Sequence, residues 1–133
     1  MDGEGKKLRI RLLGIDTPEL KQHFGYESFL YLSKILNGKS VTIISSPDKN
    51  KPYTLGYYKR IIGKVVMNGK DINLEMVRNG MAWHFKKYKK SQPIDERHSY
   101  NEAENKARKK NIGLWSGQNP LPPWKWRKLN KKR

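Results

Sequence analysis

The stretch Arg11-Leu12-Leu13-Gly14-Ile15-Asp16-Thr17-Pro18-Glu19 sets a cation and two acids within nine positions. Together with the residues before it, Leu8 to Ile15 (LRIRLLGI) alternates Leu8, Ile10 and Leu12 against Arg9 and Arg11, a strand pattern. Pro18 biases Thr17 toward an extended conformation and ends regular pairing, so Asp16 and Glu19 fall at a strand end, where side chains can converge. Asp2-Gly3-Glu4-Gly5 is turn chemistry, which makes this strand the second arm of a hairpin whose first arm is absent.

Downstream, Phe29, Leu30, Leu32, Ile35 and Leu36 follow helical spacing and predict a first helix over Tyr26 to Asn37, with Gly38 suited to the left-handed position after it. Lys39 to Ser45 (KSVTIIS) is β-branched and predicts a short strand, followed by a polar loop over Ser46 to Thr54. Tyr58 to Met67 predicts another strand, and Asn68-Gly69 a two-residue hairpin turn returning through Lys70 to Ile72. Asp71 or Asn73 can cap a brief second helix containing Leu74, Met76 and Val77 and closed by Asn79-Gly80. Ser99 with Glu102 is a capping-box signature for a third helix that presents Tyr100, Ala103 and Ala107 on one face and ends near Asn111. The tail carries Trp115, Trp124 and Trp126 with Pro120, Pro122 and Pro123, a composition that argues against regular helix; Trp115 is expected in the core and the other two tryptophans are expected to tie the tail down. Short strands with helices between and after them suit a small closed barrel decorated by helices, of the OB type, in one domain spanning residues 1–133.

The chain carries 29 Lys and Arg against 12 Asp and Glu, a net charge of +17 that exceeds what solubility needs and attracts polyanions. Nucleic acid leads, because each phosphate met by a Lys or Arg releases counterions regardless of sequence. An anionic membrane surface is the rival, but there is no long amphipathic helix with one basic and one bulky apolar face, and no apolar run approaches the roughly 18 residues of a membrane span. With no cysteine, disulfides, zinc ribbons, iron–sulfur centres and cysteine nucleophiles are excluded. Met1 to Ile10 lacks the apolar segment of a secretory signal.

Phosphodiester hydrolysis calls for a hard cation held by carboxylate and carbonyl oxygens, a carboxylate to orient or deprotonate water, and guanidinium groups on the phosphate. Arg11, Asp16 and Glu19 supply such a set. A second cation, Arg60, follows Gly56-Tyr57-Tyr58-Lys59 at the start of a strand, and phenols beside cations suit nucleotide binding. Plainer roles stand beside these. Asp16 before Thr-Pro also suits a turn, Arg11 also suits a charged edge strand, and Tyr58 and Tyr88 also suit barrel packing. His23, His84 and His98 share no metal-like spacing and read as surface or packing residues.

RLLGIDTPE resembles the active-site strand of the staphylococcal-nuclease-like family. Later segments agree in order: Tyr57–Trp83 (YYKRIIGKVVMNGKDINLEMVRNGMAW), a basic-aromatic stretch, Tyr100–Ser116 (YNEAENKARKKNIGLWS) and the PPWKWRK ending at Pro122–Lys128. The resemblance implies a five-stranded OB-type barrel with helices and a Ca2+-dependent phosphodiesterase that cuts DNA and RNA, single strands preferentially, with little sequence specificity, as a monomer. It implies that Asp16 gives calcium a carboxylate and Thr17 a backbone carbonyl oxygen, that Glu19 acts on the attacking water, and that Arg11 and Arg60 bind the scissile phosphate. Tyr58 and Tyr88 match positions that hold the nucleotide. Relatives are commonly secreted or attached to the cell envelope.

Two departures stand out. The family's Asp-Gly-Asp-Thr motif, which holds a further calcium ligand on the preceding strand, has no counterpart; Asp2-Gly3-Glu4 is similar to it superficially and reads as the turn after a missing strand. Gly56 and Lys59 stand around Tyr58 where the family more often has an acid and a glycine. The alternative function is a non-catalytic nucleic-acid-binding module of the same fold. A basic structural protein of a ribonucleoprotein needs none of Arg11, Asp16, Glu19 and Arg60 together.

Overall fold

The computed structural model describes residues 5–45, 60–86 and 92–131. Its strands are β1 (Ile10–Leu12), β2 (Ile15–Asp16), β3 (Thr42–Ser45), β4 (Ile61–Met67), β5 (Lys70–Asp71) and β6 (Trp83–His84). The helices are α1 (Gly25–Leu36), α2 (Ile72–Arg78), α3 (Ile94–Lys109) and α4 (Pro123–Leu129), with a 3-10 turn at Gly113–Ser116. This is an α+β architecture. A four-stranded mixed sheet forms around β4, which pairs in parallel with β1 and antiparallel with β3 and β5, while β2 and β6 form a separate antiparallel ribbon. Among the described residues the strands do not close into a barrel.

The expected single strand over Leu8 to Ile15 is two strands in different sheets. Leu12 pairs with Gly63 of β4, whereas Ile15 pairs with His84 of β6. Gly14 makes the corner at φ +79°, a conformation that a side chain rarely adopts. The corner is fixed by long-range bonds: Leu13 N donates to Gly63 O at 2.9 Å and Phe85 N donates to Gly14 O at 2.8 Å. Asn73, fully buried on α2, donates through Nδ2 to Leu13 O at 3.0 Å and Gly63 O at 3.3 Å, and its Oδ1 accepts from Val65 N at 3.1 Å. One amide thus joins the corner, β4 and α2, with every bond made in the interior where an unmade one is costly.

The expected local signals hold at β4–β5, where Asn68 and Gly69 both have positive φ, as a two-residue turn between twisted strands requires. Of the two candidate caps for α2, Asp71 serves, its carboxylate accepting from Leu74 N. Helix α1 matches its expected span to within one residue at each end, although Phe29 is half exposed and stacks on Tyr26. Helix α3 begins at Ile94 rather than at Ser99. Pro93 holds the N-cap position, Asp95 and Glu96 occupy the first turn where the helix dipole favours acids, and Ser99 Oγ, inside the helix, donates to Asp95 O. The tail also differs from expectation: Pro122 precedes α4 and Pro123 starts it, a position where the missing N–H has no helical partner to lose.

Tyr100, Ala103, Ile15, Met76, Val77 and Ala82 form the main core between α2, α3 and the β2–β6 ribbon, with Leu32 and Tyr31 of α1 against it. A second cluster of Trp83, Ala107, Leu114 and Trp115, joined by Trp124, roofs the same ribbon. Trp115 is therefore a core residue, as expected, and Trp124 ties α4 down. Among the described residues no helix is long and apolar enough to cross a membrane.

Candidate active site

Asp16 ends β2 opposite Trp83 and is 6 % exposed, so its carboxylate is held almost entirely within the protein. Beyond it, Thr17, Pro18 and Glu19 lead into a compact turn: Glu19 N donates to Gln22 Oε1 at 3.2 Å, Gln22 N to Glu19 O at 2.8 Å, and Gly25 N to Gln22 O at 2.9 Å. Gly25 is required there, since a Cβ at that position would lie 1.8 Å from Glu19 O. The start of α1 is thus seated directly on the Glu19 backbone.

Arg11 rises from β1 and folds over the β1–β2 corner. Its Nη1 donates to Ile15 O at 2.6 Å and to Leu12 O at 3.0 Å, its Nη2 lies 3.8 Å from Asp16 Oδ1, and its guanidinium sits 5.3 Å from the centre of the Phe85 ring. Arg60 precedes β4 by one residue and lies two residues before Ile62, the register partner of Arg11. The structure therefore brings Arg11, Asp16, Thr17 and Glu19 to one end of the ribbon, with Arg60 just before the strand that pairs with Arg11's. Tyr58 and Tyr88 lie outside the described residues.

The site includes one residue that sequence reasoning missed. Arg127 of α4 donates from Nη2 to Asp16 Oδ2 at 2.6 Å, and from Nη1 to Asp16 Oδ1 at 3.3 Å and to Glu19 Oε1 at 2.9 Å. One planar fork therefore bridges both acids, a geometry that suits guanidinium better than ammonium. The hydrogen bond to Asp16, with Glu19 adding to it, raises the Arg127 pKa above the usual guanidinium value against the opposing effect of burial, so the group is charged at any working pH. Helix α4 is placed by contacts other than this fork. Trp124 packs 5.6 Å from Trp83 and 5.3 Å from Phe85 between ring centres, and Gln22 Nε2 donates to Leu121 O at 2.6 Å. The signal was present as Pro122-Pro123 followed by Trp124 and Arg127, three apart and so neighbours on a helix, but it is visible only once the prolines are read as a helix start.

Among the described residues no cluster of three or more His, Cys, Asp or Glu side chains could hold a metal. His84 is buried beside Tyr100 and His98 pairs with Glu102 on the surface of α3, consistent with structural roles.

Residues 9–117 match the family model described as staphylococcal nuclease homologue. The chain is similar to a staphylococcal-like nuclease of Arabidopsis thaliana, 40% identical over 123 residues that make up 92% of this chain and 34% of that protein. It is also similar to an uncharacterized endonuclease of Haemophilus influenzae, 37% identical over 95% of this chain and 64% of the relative. An uncharacterized endonuclease of Escherichia coli is 36% identical over 92% of this chain and 72% of its own length. The chain spans about a third of the plant relative and roughly two thirds or more of the two bacterial ones. With a family model covering β1 through the 3-10 turn and relatives matched across nearly the whole chain, this protein belongs to the staphylococcal nuclease homologue family.

Proposed function

We propose that this chain is a metal-dependent phosphodiesterase that hydrolyses DNA and RNA with little base preference. The observation that carries this is the convergence of Asp16, Glu19 and Arg11 at the end of β2 in a chain of net charge +17. Glu19, partly exposed at the rim, orients the attacking water and accepts its proton. Arg11, its Nη1 anchored on Ile15 and Leu12 carbonyls and its Nη2 edge toward Asp16, presents a pre-set fork to the scissile phosphate. Arg60 supplies the second guanidinium. Both favour the transition state over the ground state, because charge builds on the phosphoryl oxygens as the fifth bond forms. The positive field draws in polyanions, and Tyr58 and Tyr88 hold the nucleotide, favouring single strands whose unpaired bases can stack.

A divalent cation fits the donors. The Asp16 carboxylate and the Thr17 carbonyl oxygen are hard ligands of the kind calcium takes, and Glu19 beside them would act on the water. The Arg127 guanidinium that bridges the two acids supports this reading, since the pair already holds one cationic group. When bound, the metal supplies Lewis-acid polarisation of the phosphoryl oxygen. We further propose that residues 1–133 act as one monomeric unit and that the mixed sheet and the ribbon belong to a five-stranded OB-type barrel, with β1 and β2 counting as one strand bent at Gly14.

The test is digestion of denatured DNA with calcium or with chelator, for the chain and for Glu19→Gln, Asp16→Ala and Arg60→Ala. Calcium-dependent cleavage that each substitution lowers by about 10²-fold or more supports the proposal. Cleavage that survives Asp16→Ala and Arg60→Ala would overturn it, as would its absence with calcium. Calcium binding without cleavage would point to a nucleic-acid-binding module.

A further inference from the structure

Arg127 comes from α4, beyond the 9–117 span matched by the family model, and it engages three of the four carboxylate oxygens of Asp16 and Glu19. Both Asp16 oxygens accept from its fork, so an ion approaching this nearly buried carboxylate competes with the Arg127 guanidinium for it. Asp16 is 8 % exposed at the side chain whereas Arg127 and Glu19 are each 42 % exposed, so the fork closes the site from its solvent side. The guanidinium can leave without undocking its helix. The Trp124 contacts with Trp83 and Phe85, and the Gln22 bond to Leu121, hold α4 independently of the side-chain tip.

We infer that Arg127 is the resident counter-cation of the Asp16–Glu19 pair, and that a divalent cation enters the site by displacing its guanidinium from Asp16. The inference rests on the proposal that Asp16 and the Thr17 carbonyl oxygen hold a divalent cation. Before the ion arrives, the fork keeps the nearly buried Asp16 carboxylate compensated and the two acids drawn together. The apparent cation affinity is then lowered by the fraction of molecules in which the fork is closed.

Calorimetric titration of calcium into the chain, Arg127→Gln, Arg127→Lys and Lys128→Gln tests this without any turnover. If the fork is closed in about nine molecules of ten, Arg127→Gln tightens calcium binding roughly tenfold. Arg127→Lys, which keeps the charge but loses the two-pronged geometry, tightens it less. Lys128→Gln, which removes a neighbouring charge from the same exposed helix end, leaves it within about twofold. Equal or weaker binding by Arg127→Gln would overturn the inference, and so would equal tightening by Lys128→Gln, which would reduce the effect to general field. Should Arg127→Gln fail to fold, Arg127→Lys decides by the same sign. If neither wild type nor variants bind calcium, the metal reading fails and this inference with it. If wild type binds and the Arg127 variants do not tighten, only the inference fails.

Discussion

Tyr100 of α3 donates its phenol to Asp71 Oδ2 at 2.7 Å, while Asp71 Oδ1 caps α2 by accepting from Leu74 N at 2.9 Å. A single carboxylate therefore ends a strand, starts one helix and fastens a second across the main core. Burial first, then the Asp71 bond, pushes the phenol pKa well above its ordinary value, so Tyr100 stays a donor at any working pH. Tyr100→Phe is expected to cost about 1–2 kcal/mol and Asp71→Ala more, since the latter removes the cap as well. Urea unfolding of the two variants measures both.

Asn73 supplies the amide that pins the Gly14 corner, and the expected order of damage identifies its role. Asn73→Ala removes the side-chain partner of Val65 N and Leu13 O, at about 1–3 kcal/mol each where water cannot reach them, while Gly63 O keeps its bond from Leu13 N. Asn73→Asp keeps the shape but aims a carboxylate at the Leu13 and Gly63 carbonyls, and is expected to be worse than alanine near neutral pH. Equal midpoints in a thermal melt would count against this account.

Gly25 tests how closely α1 sets Glu19. Gly25→Ala places a methyl group against Glu19 O, and the backbone rather than a flexible side chain must give way. Overpacking of this kind costs about 1–3 kcal/mol. Because displacement by about 1 Å can cost on the order of 10²-fold in rate, kcat on denatured DNA is expected to fall well beyond what the loss of folded protein explains. Circular dichroism beside the assay separates the two.

His84 gives a pH dependence to stability. Burial lowers its pKa below the ordinary value, outweighing the pull of Glu104, with Lys86 adding to the lowering. The unfolded chain therefore takes up a proton at a pH where the folded one still resists it. Stability is fully present above about pH 6.5 and declines as pH falls toward the lower folded-state pKa. The thermal midpoint of wild type is expected to drop more between about pH 7 and pH 5 than that of His84→Gln, and parallel curves would remove His84 as the cause.

Legibility in the sequence follows the range of the forces involved. The Asn68-Gly69 turn, α1 and the buried face of α3 answer to neighbours a few residues away, so they could be read directly, and the cap of α2 could be narrowed to Asp71 or Asn73. The break at Gly14 could not, because alternation continues through Leu12 and the corner is imposed by Gly63, Asn73 and Phe85 from distant segments. Ser99 and Glu102 satisfied a local capping pattern, but Pro93 with Asp95 and Glu96 starts the helix earlier. Arg11, Asp16 and Glu19 were legible as a candidate site because one short stretch carries all three. Arg127 was not, since nothing near it in the chain says which acids it will meet.

The Arg127–Asp16 contact spans 111 residues, which bears on how the molecule is made. At about 5–20 residues per second, a ribosome takes on the order of ten seconds to progress from the acid to its partner. For more than half of that interval β6 is not yet synthesised and β2 lacks its partner strand, and for the rest the ribbon can form only with a carboxylate that lacks Arg127. The acid end of the ribbon is thus among the last parts to settle, and its closure marks the arrival of the C-terminal helix.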